Sequence, residues 1–149
     1  LEVIPLMAPV LTPVASPGFL KAHGAVIHEA GDCLGYPLLH DGDRADWQLW
    51  LKAHGVADDM RAERGSAFDD DFLLIRAAEA GQGLALVPQA YAQEEIAAGR
   101  LIQVLDKPWP ARFAYYAVTR PGAADRPEVR AFLDWIREEA EKKLSPSQP

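Results

Sequence analysis

The stretch Gly65-Ser66-Ala67-Phe68-Asp69-Asp70-Asp71-Phe72, continued by Ala77-Ala78-Glu79-Ala80-Gly81-Gln82-Gly83-Leu84-Ala85-Leu86-Val87-Pro88, decides the fold. Met60 to Phe68 reads as a strand. Three aspartates then open a helix from Phe72 to Ala80 that is apolar nearly all round except at Arg76 and Glu79, the pattern of a largely buried helix. Gly81-Gln82-Gly83 breaks it. Leu84 to Val87 is a continuous apolar run closed by Pro88, the profile of a strand covered on both faces in a parallel sheet.

Working outward, the same alternation of strand and helix repeats. Val10 to Ala15 is an apolar run containing Pro13 that leads into the turn Ser16-Pro17-Gly18, and it reads as a crossing strand. Pro37-Leu38-Leu39 precedes the polar turn His40-Asp41-Gly42-Asp43. Asp46 has the chemistry of an N-cap for a helix that carries Trp47, Trp50, Leu51 and His54 on one face and ends at Gly55. A short helix from Ala92 to Ala98 stops at Gly99, and Leu101 to Leu105 and Phe113 to Thr119 follow as strands. Asp125-Arg126-Pro127-Glu128 starts a last helix with Val129, Phe132, Leu133, Ile136 and Ala140 at helical spacing. Such a chain predicts an open, mostly parallel α/β sheet whose ligand sits at the carboxyl ends of strands. The loops of interest are Ser16-Pro17, His40 to Asp43, Asp69-Asp70 and Pro88-Gln89.

Composition narrows the function. With 149 residues and 49% hydrophobic content, the chain can bury a real core. A formal charge of −7 argues against nucleic acid as a direct partner, because duplex binding draws on Lys and Arg that neutralise phosphates. No apolar run approaches a membrane span. The lone Cys33 excludes an internal disulfide framework and fits a cytoplasmic, reducing location as a buried or incidental thiol. Leu1 is neither an initiator Met nor the start of a secretion signal, so the chain reads as a piece of a longer one. His23, His28, His40 and His54 lack metal-site spacing, and neither a nucleophile elbow nor a phosphate loop is present; no metal, cofactor or catalytic residue is expected. Trp47, Trp50 and Trp135 read as core and interface anchors.

The quoted stretch resembles the effector domain of LysR-type bacterial transcription regulators. Pro13-Val14-Ala15-Ser16-Pro17 resembles that family's hinge between subdomains. Asp46-Trp47 through Trp50-Leu51 and Phe132-Leu133-Asp134-Trp135-Ile136 resemble its glycine-cleavage-activator and AmpR-like branch. The resemblance covers almost the whole chain. It implies a fold like a type 2 periplasmic binding protein: two Rossmann-like subdomains joined by two crossing strands, the first subdomain incomplete here. By it, 1–12 is the tail of the first subdomain and a crossing strand, 13–111 the second subdomain, 112–143 the return to the first, and 144–149 a disordered tail. Phe113 to Thr119 and the apolar face of Val129 to Ala140 would then expose a patch that must be covered, by self-association, swapping or upstream residues.

The resemblance further implies that a small-molecule effector in an inter-lobe cleft biases the pairing of DNA-binding domains, with DNA held only by an absent winged helix-turn-helix and no membrane partner. The implied effector-binding residues are Thr12, Val14 and Ser16 at the hinge, Ser66, Phe68, Asp69 and Asp70 at the strand-to-helix turn, and Tyr115 on the returning strand. The aspartates have two readings. Acids at a helix start cap free N–H groups and suit the dipole. Three acids there also repel the anion that a helix start would otherwise welcome, which points to a cationic or amide-bearing effector such as an amino acid or peptide. Two other classes share parts of the pattern: a periplasmic-type solute-binding protein, which would carry an export signal, and a small α/β enzyme, which would need a nucleophile with a base in reach.

Overall fold

The computed structural model describes residues 1–144; of the expected tail at 144–149, Leu144 belongs to the last helix and 145–149 lie outside the described residues. Two sheets are present. A two-stranded ribbon pairs β1 (Glu2–Met7) with β8 (Tyr115–Thr119) in antiparallel fashion. A six-stranded sheet runs in the order β4 (Ala67–Phe68), β3 (Leu38–Asp41), β5 (Leu84–Pro88), β2 (Val10–Ala15) and β6 (Ile102–Gln103), with β7 (Trp109–Pro110) also on β2. The described residues also form helices α1 (Pro17–Ala22), α2 (Asp46–Ala53), α3 (Asp71–Glu79), α4 (Gln93–Ala97) and α5 (Pro127–Leu144), besides short 3-10 turns.

The sheet is mixed rather than mostly parallel. β3 runs parallel to both β4 and β5, as the run Leu84 to Val87 implies, and every residue of β5 is buried. β2, however, is antiparallel to β5, β6 and β7. Pro13 is tolerated in this central strand because its flank is interrupted: β6 pairs at Val14 and Ala15, β7 at Val10 and Leu11, and between them the Pro13 carbonyl accepts from Val104 N at 3.0 Å. A proline on that side forfeits no ladder hydrogen bond.

Apolar layers cover both faces of the sheet. One gathers Ala15, Phe19, Leu38, Leu84 and Leu86 with Trp47, Trp50 and Leu51 of α2; the other gathers Val14, Leu39, Ala85 and Val87 with Leu74, Ile75 and Ala78 of α3. Successive residues of β5 alternate between the layers, as strand geometry demands. Trp47 and Trp50 are buried edge to face, and their indole N–H groups donate to the Leu39 and Lys107 carbonyls, each at 2.9 Å. Trp135, by contrast, is 54% exposed and anchors no core here. Cys33 is fully buried, which pushes its thiol up to about 12.

Four local expectations are corrected. Met60–Glu63 forms a 3-10 turn and the strand shrinks to Ala67–Phe68, because Asp59 accepts the Arg61 amide at 2.8 Å and also pairs with the Arg61 guanidinium, fixing a turn locally. Asp46 is the first residue of α2 rather than its N-cap; Ala45 holds the cap position and Asp43 accepts the Ala45 amide at 3.0 Å. Only Ile102 and Gln103 of the run Leu101 to Leu105 join the ladder. Moreover, α3 is amphipathic: Phe72 and Leu73 face outward while Leu74, Ile75, Ala77 and Ala78 are buried. An apolar residue at a helix start need not face the core, since direction depends on which stripe meets the sheet.

The β1–β8 ribbon packs on α5, where Leu133 is the buried residue. Val3, Tyr116, Val118, Phe132 and Trp135 of this unit are exposed, whereas Leu133, expected on the same open helix face, is buried. Among the described residues no helix is long and apolar enough to cross a membrane.

Candidate functional site

Parallel strands β3 and β4 end side by side at Asp41 and Phe68, and antiparallel β2 begins at the same end of the sheet. There a cavity of about 190 Å³ opens. Its apolar wall is made by Leu11, Leu86, Phe68 and Phe113, and its rim by Asp41, Asp46, Asp69, Asp70 and Asp71. Arg112 is the cation that lines it. Five carboxylates face one guanidinium, so the local field favours positive charge.

Each acid is placed by a local device. Asp70 is the N-cap of α3 and accepts from Phe72 N at 2.7 Å and Leu73 N at 3.3 Å. Asp71 begins the helix; burial raises its carboxyl above the usual range, and Asp70 and Asp46 add to the shift. Asp41 ends β3, and burial, then Asp46 and Asp43, push its carboxyl up to about 6. Its Oδ1 is buried with no hydrogen-bond partner among the described residues. Arg112 donates from Nε to Asp46 at 2.8 Å and from Nη2 to Asp43 at 2.7 and 2.6 Å, with Asp41 at 3.9 Å. The bond from Arg112 holds the Asp43 carboxyl below its ordinary value and the guanidinium above its own.

The loop carrying Asp41 and Asp43 is braced from behind. Arg44 adopts φ 61°, and its Nη1 donates to the Glu63 and Gly65 carbonyls at 3.0 and 2.7 Å. His40, nearly fully buried, donates from Nε2 to the Arg64 carbonyl at 2.7 Å, and burial lowers its pKa. These bonds tie β3 to the segment before β4, so the two strand ends that frame the cavity keep their spacing.

The predicted effector residues are distributed unevenly. Phe68, Asp69 and Asp70 line the cavity. Ser66 is exposed, and its carbonyl accepts from His40 N at 2.9 Å. Thr12 and Val14 are buried in β2; the Thr12 hydroxyl has no partner among the described residues, and Val14 belongs to the core. Ser16 lies at the opposite end of the sheet, because β2 runs against β3, and there its Oγ accepts from Phe19 N at 3.1 Å. Tyr115 hydrogen-bonds Tyr91 through the two hydroxyls. Sequence reasoning gave no role to Arg112 or Phe113, and it read Asp41 as part of a polar turn. For Asp41 a signal existed in its place after a strand; for Arg112 none did, since Asp46 and Asp43 lie 66 and 69 residues away.

The raised Asp41 carboxyl gives a pH prediction. The folded chain binds this proton more tightly than the unfolded chain does, so stability falls as pH rises from 3.8 towards about 6. Asp41→Asn is therefore expected to raise the melting temperature at pH 7.5 and to leave it unchanged at pH 4, as followed by circular dichroism. An equal shift at both pH values would remove burial of the charge as the cause.

The fold has counterparts among solved structures. The effector domain of the transcriptional regulator AmpR of Pseudomonas aeruginosa superposes with a TM-score of 0.76 over 95% of this chain and 66% of that one, at 23% identity. The regulatory domain of CrgA from Neisseria meningitidis gives 0.68 over 93% and 69%, at 22% identity. The fold is thus that of LysR effector-binding domains, which is of the type 2 periplasmic-binding-protein kind. Residues 1–141 match the family model described as the LysR substrate binding domain, and the chain belongs to that family. Its relatives include the glycine cleavage system transcriptional activator of Escherichia coli strain K12, 33% identical over 136 residues. The regulator TrpI of Pseudomonas aeruginosa is 30% identical over 145 residues. The alignments cover 91% and 93% of this chain but 44% and 46% of those proteins, so the chain spans under half the length of the curated relatives it matches.

Proposed function

We propose that this chain is the effector-sensing part of a LysR-type transcription regulator that acts in the cytoplasm as a binding module and not as an enzyme. Residues 13–111 form its second subdomain, while 1–12 and 112–143 contribute to the first. The observation that carries the reading is the cavity at the ends of β3 and β4, which combines a wall of Phe68 and Phe113 with an aspartate rim beside the second connection between the sheets. Its occupant is a small molecule bearing a cationic or amide group, such as an amino acid or peptide. Phe68 and Phe113 take its apolar part, and Asp69 and Asp71 take its ammonium or amide N–H groups. Binding needs no bond to be made or broken. It favours one arrangement of the connections by the difference in affinity between states, and that difference reaches DNA through a winged helix-turn-helix domain paired by self-association.

Calorimetry with a set of free amino acids and their N-acetyl derivatives, which keep the carboxylate and lose the ammonium, tests the cavity. At least one amino acid is expected to bind about tenfold more tightly than its acetylated form, a difference of ~1.4 kcal/mol. Asp70→Asn should reduce that preference without unfolding α3, because asparagine caps a helix nearly as well as aspartate. Asp70→Ala removes the cap too and should lower stability by about 1 kcal/mol. Tight binding of an acetylated form, which keeps the carboxylate and an amide N–H but no positive charge, that Asp70→Asn leaves unchanged would sink the cationic reading.

A further inference from the structure

Two connections join the β1–β8 ribbon to the main sheet, and they run side by side. Val10 and Leu11 of β2 pair with Pro110 and Trp109 of β7, and Ala111 donates its amide to the Pro9 carbonyl at 2.9 Å. Arg112 follows directly. Its guanidinium leaves the connection and forks onto the loop between β3 and α2 and the start of α2, taking Asp46 through Nε and both oxygens of Asp43 through Nη2. Among the described residues these are the ion pairs that join the second connection to that loop. The same guanidinium is part of the cavity wall. One side chain therefore touches both the space for a ligand and the strand pair that links the sheets.

A forked guanidinium on two carboxylates is directional, so it fixes position as well as charge. A second cation brought to the same rim repels the guanidinium and competes for Asp46, the carboxylate of the fork that lines the cavity. We infer that Arg112 is a positioning residue that couples the cavity to the connections: it pins the second connection to the Asp43 and Asp46 carboxylates, and a cationic group entering the cavity displaces it and loosens that connection. This rests on the cavity being the effector site. It adds which residue transmits occupancy and in which direction. The charge sign follows from the rim, the direction from the fork, and the range from the Ala111 bond to Pro9 one residue away.

Amide hydrogen exchange by NMR on the whole chain tests the coupling, with the Ala111 amide as reporter and the amides of Leu84 to Val87 in β5 as the internal standard. Arg112→Gln is expected to speed Ala111 exchange about tenfold and to leave β5 unchanged, because only the local opening is made easier. Arg112→Lys should fall between, since a single ammonium cannot hold both aspartates in a fork. Ethylammonium chloride, compared with sodium chloride at equal ionic strength, should speed Ala111 exchange in the unsubstituted chain and not in Arg112→Gln. Unchanged Ala111 exchange in Arg112→Gln overturns the coupling, as does a rise shared equally by β5, which would make Arg112 a general structural residue. If ethylammonium shifts the signals of Phe68 and Asp69 yet leaves Ala111 exchange unchanged, the coupling fails and the effector site stands. If it shifts none of the cavity signals, the cationic site fails and the coupling falls with it.

Discussion

Gly65→Ala is expected to destabilise the chain by about 4 kcal/mol or more, a large share of the roughly 5–15 kcal/mol that holds an ordinary domain folded. Gly65 sits at φ 118°, and a Cβ built there falls 1.8 Å from the Leu38 carbonyl oxygen. Both the backbone strain and the clash oppose any side chain, and the obstacle is main chain in a buried strand, which cannot step aside. The effect should reach the cavity as well. The Gly65 carbonyl accepts from Arg44, and the neighbouring Arg64 carbonyl accepts from His40, so displacement of this segment unbraces the loop that carries Asp41 and Asp43. Urea unfolding measures the loss, with Ser66→Ala, at an exposed position, expected to change stability by less than about 0.5 kcal/mol. A Gly65→Ala protein with an unchanged midpoint would refute the close approach of these two segments.

Trp50→Ala is the second large effect, with an expected loss of about 4 kcal/mol from the cavity left in the core. Trp50 is fully buried in the layer shared by α2, Leu38 and Leu84, and it packs edge to face on Trp47 at 5.5 Å. Its indole also donates to the Lys107 carbonyl, and this bond holds the segment leading into β7 and so the second connection. Trp50→Phe keeps most of the apolar area but leaves that carbonyl unpaired; it should lose about 1–2 kcal/mol, no more than about half of the alanine effect. Comparable losses for the two substitutions would mean that the hydrogen bond, and not the packing, is what Trp50 contributes.

The elements that could be read from the chain share one property: their signal is local. Leu84 to Val87 is apolar at four consecutive positions, and a strand with such a run has to be covered on both faces, as β5 is. The spacing of Val129, Phe132, Leu133 and Ile136 marks a helix, and Asp70 followed by an apolar run marks where α3 begins. The elements that misled had local chemistry pointing elsewhere. Asp59 and Arg61 curl Met60–Glu63 into a turn although its composition permits a strand. Phe72 and Leu73 are apolar yet exposed, because α3 meets the sheet through Leu74, Ile75 and Ala78.

For the candidate site the division is sharper. The sequence by itself determined the alternation of strands and helices, the family, the aspartates at the start of α3 and the strand-end position of His40 to Asp43, because each depends on residues within a few positions of one another. Only the tertiary structure decided that β2 runs antiparallel, which sends Ser16 to one end of the sheet and brings Leu11 beside Phe68 at the other. It alone placed Arg112 on Asp43 and Asp46, and Phe113 with Phe68 in the lining of one cavity. The physical reason is that an ion pair or cavity wall is set by distance in space. When partners stand 66 or 69 residues apart, nothing in the local pattern of either records the other.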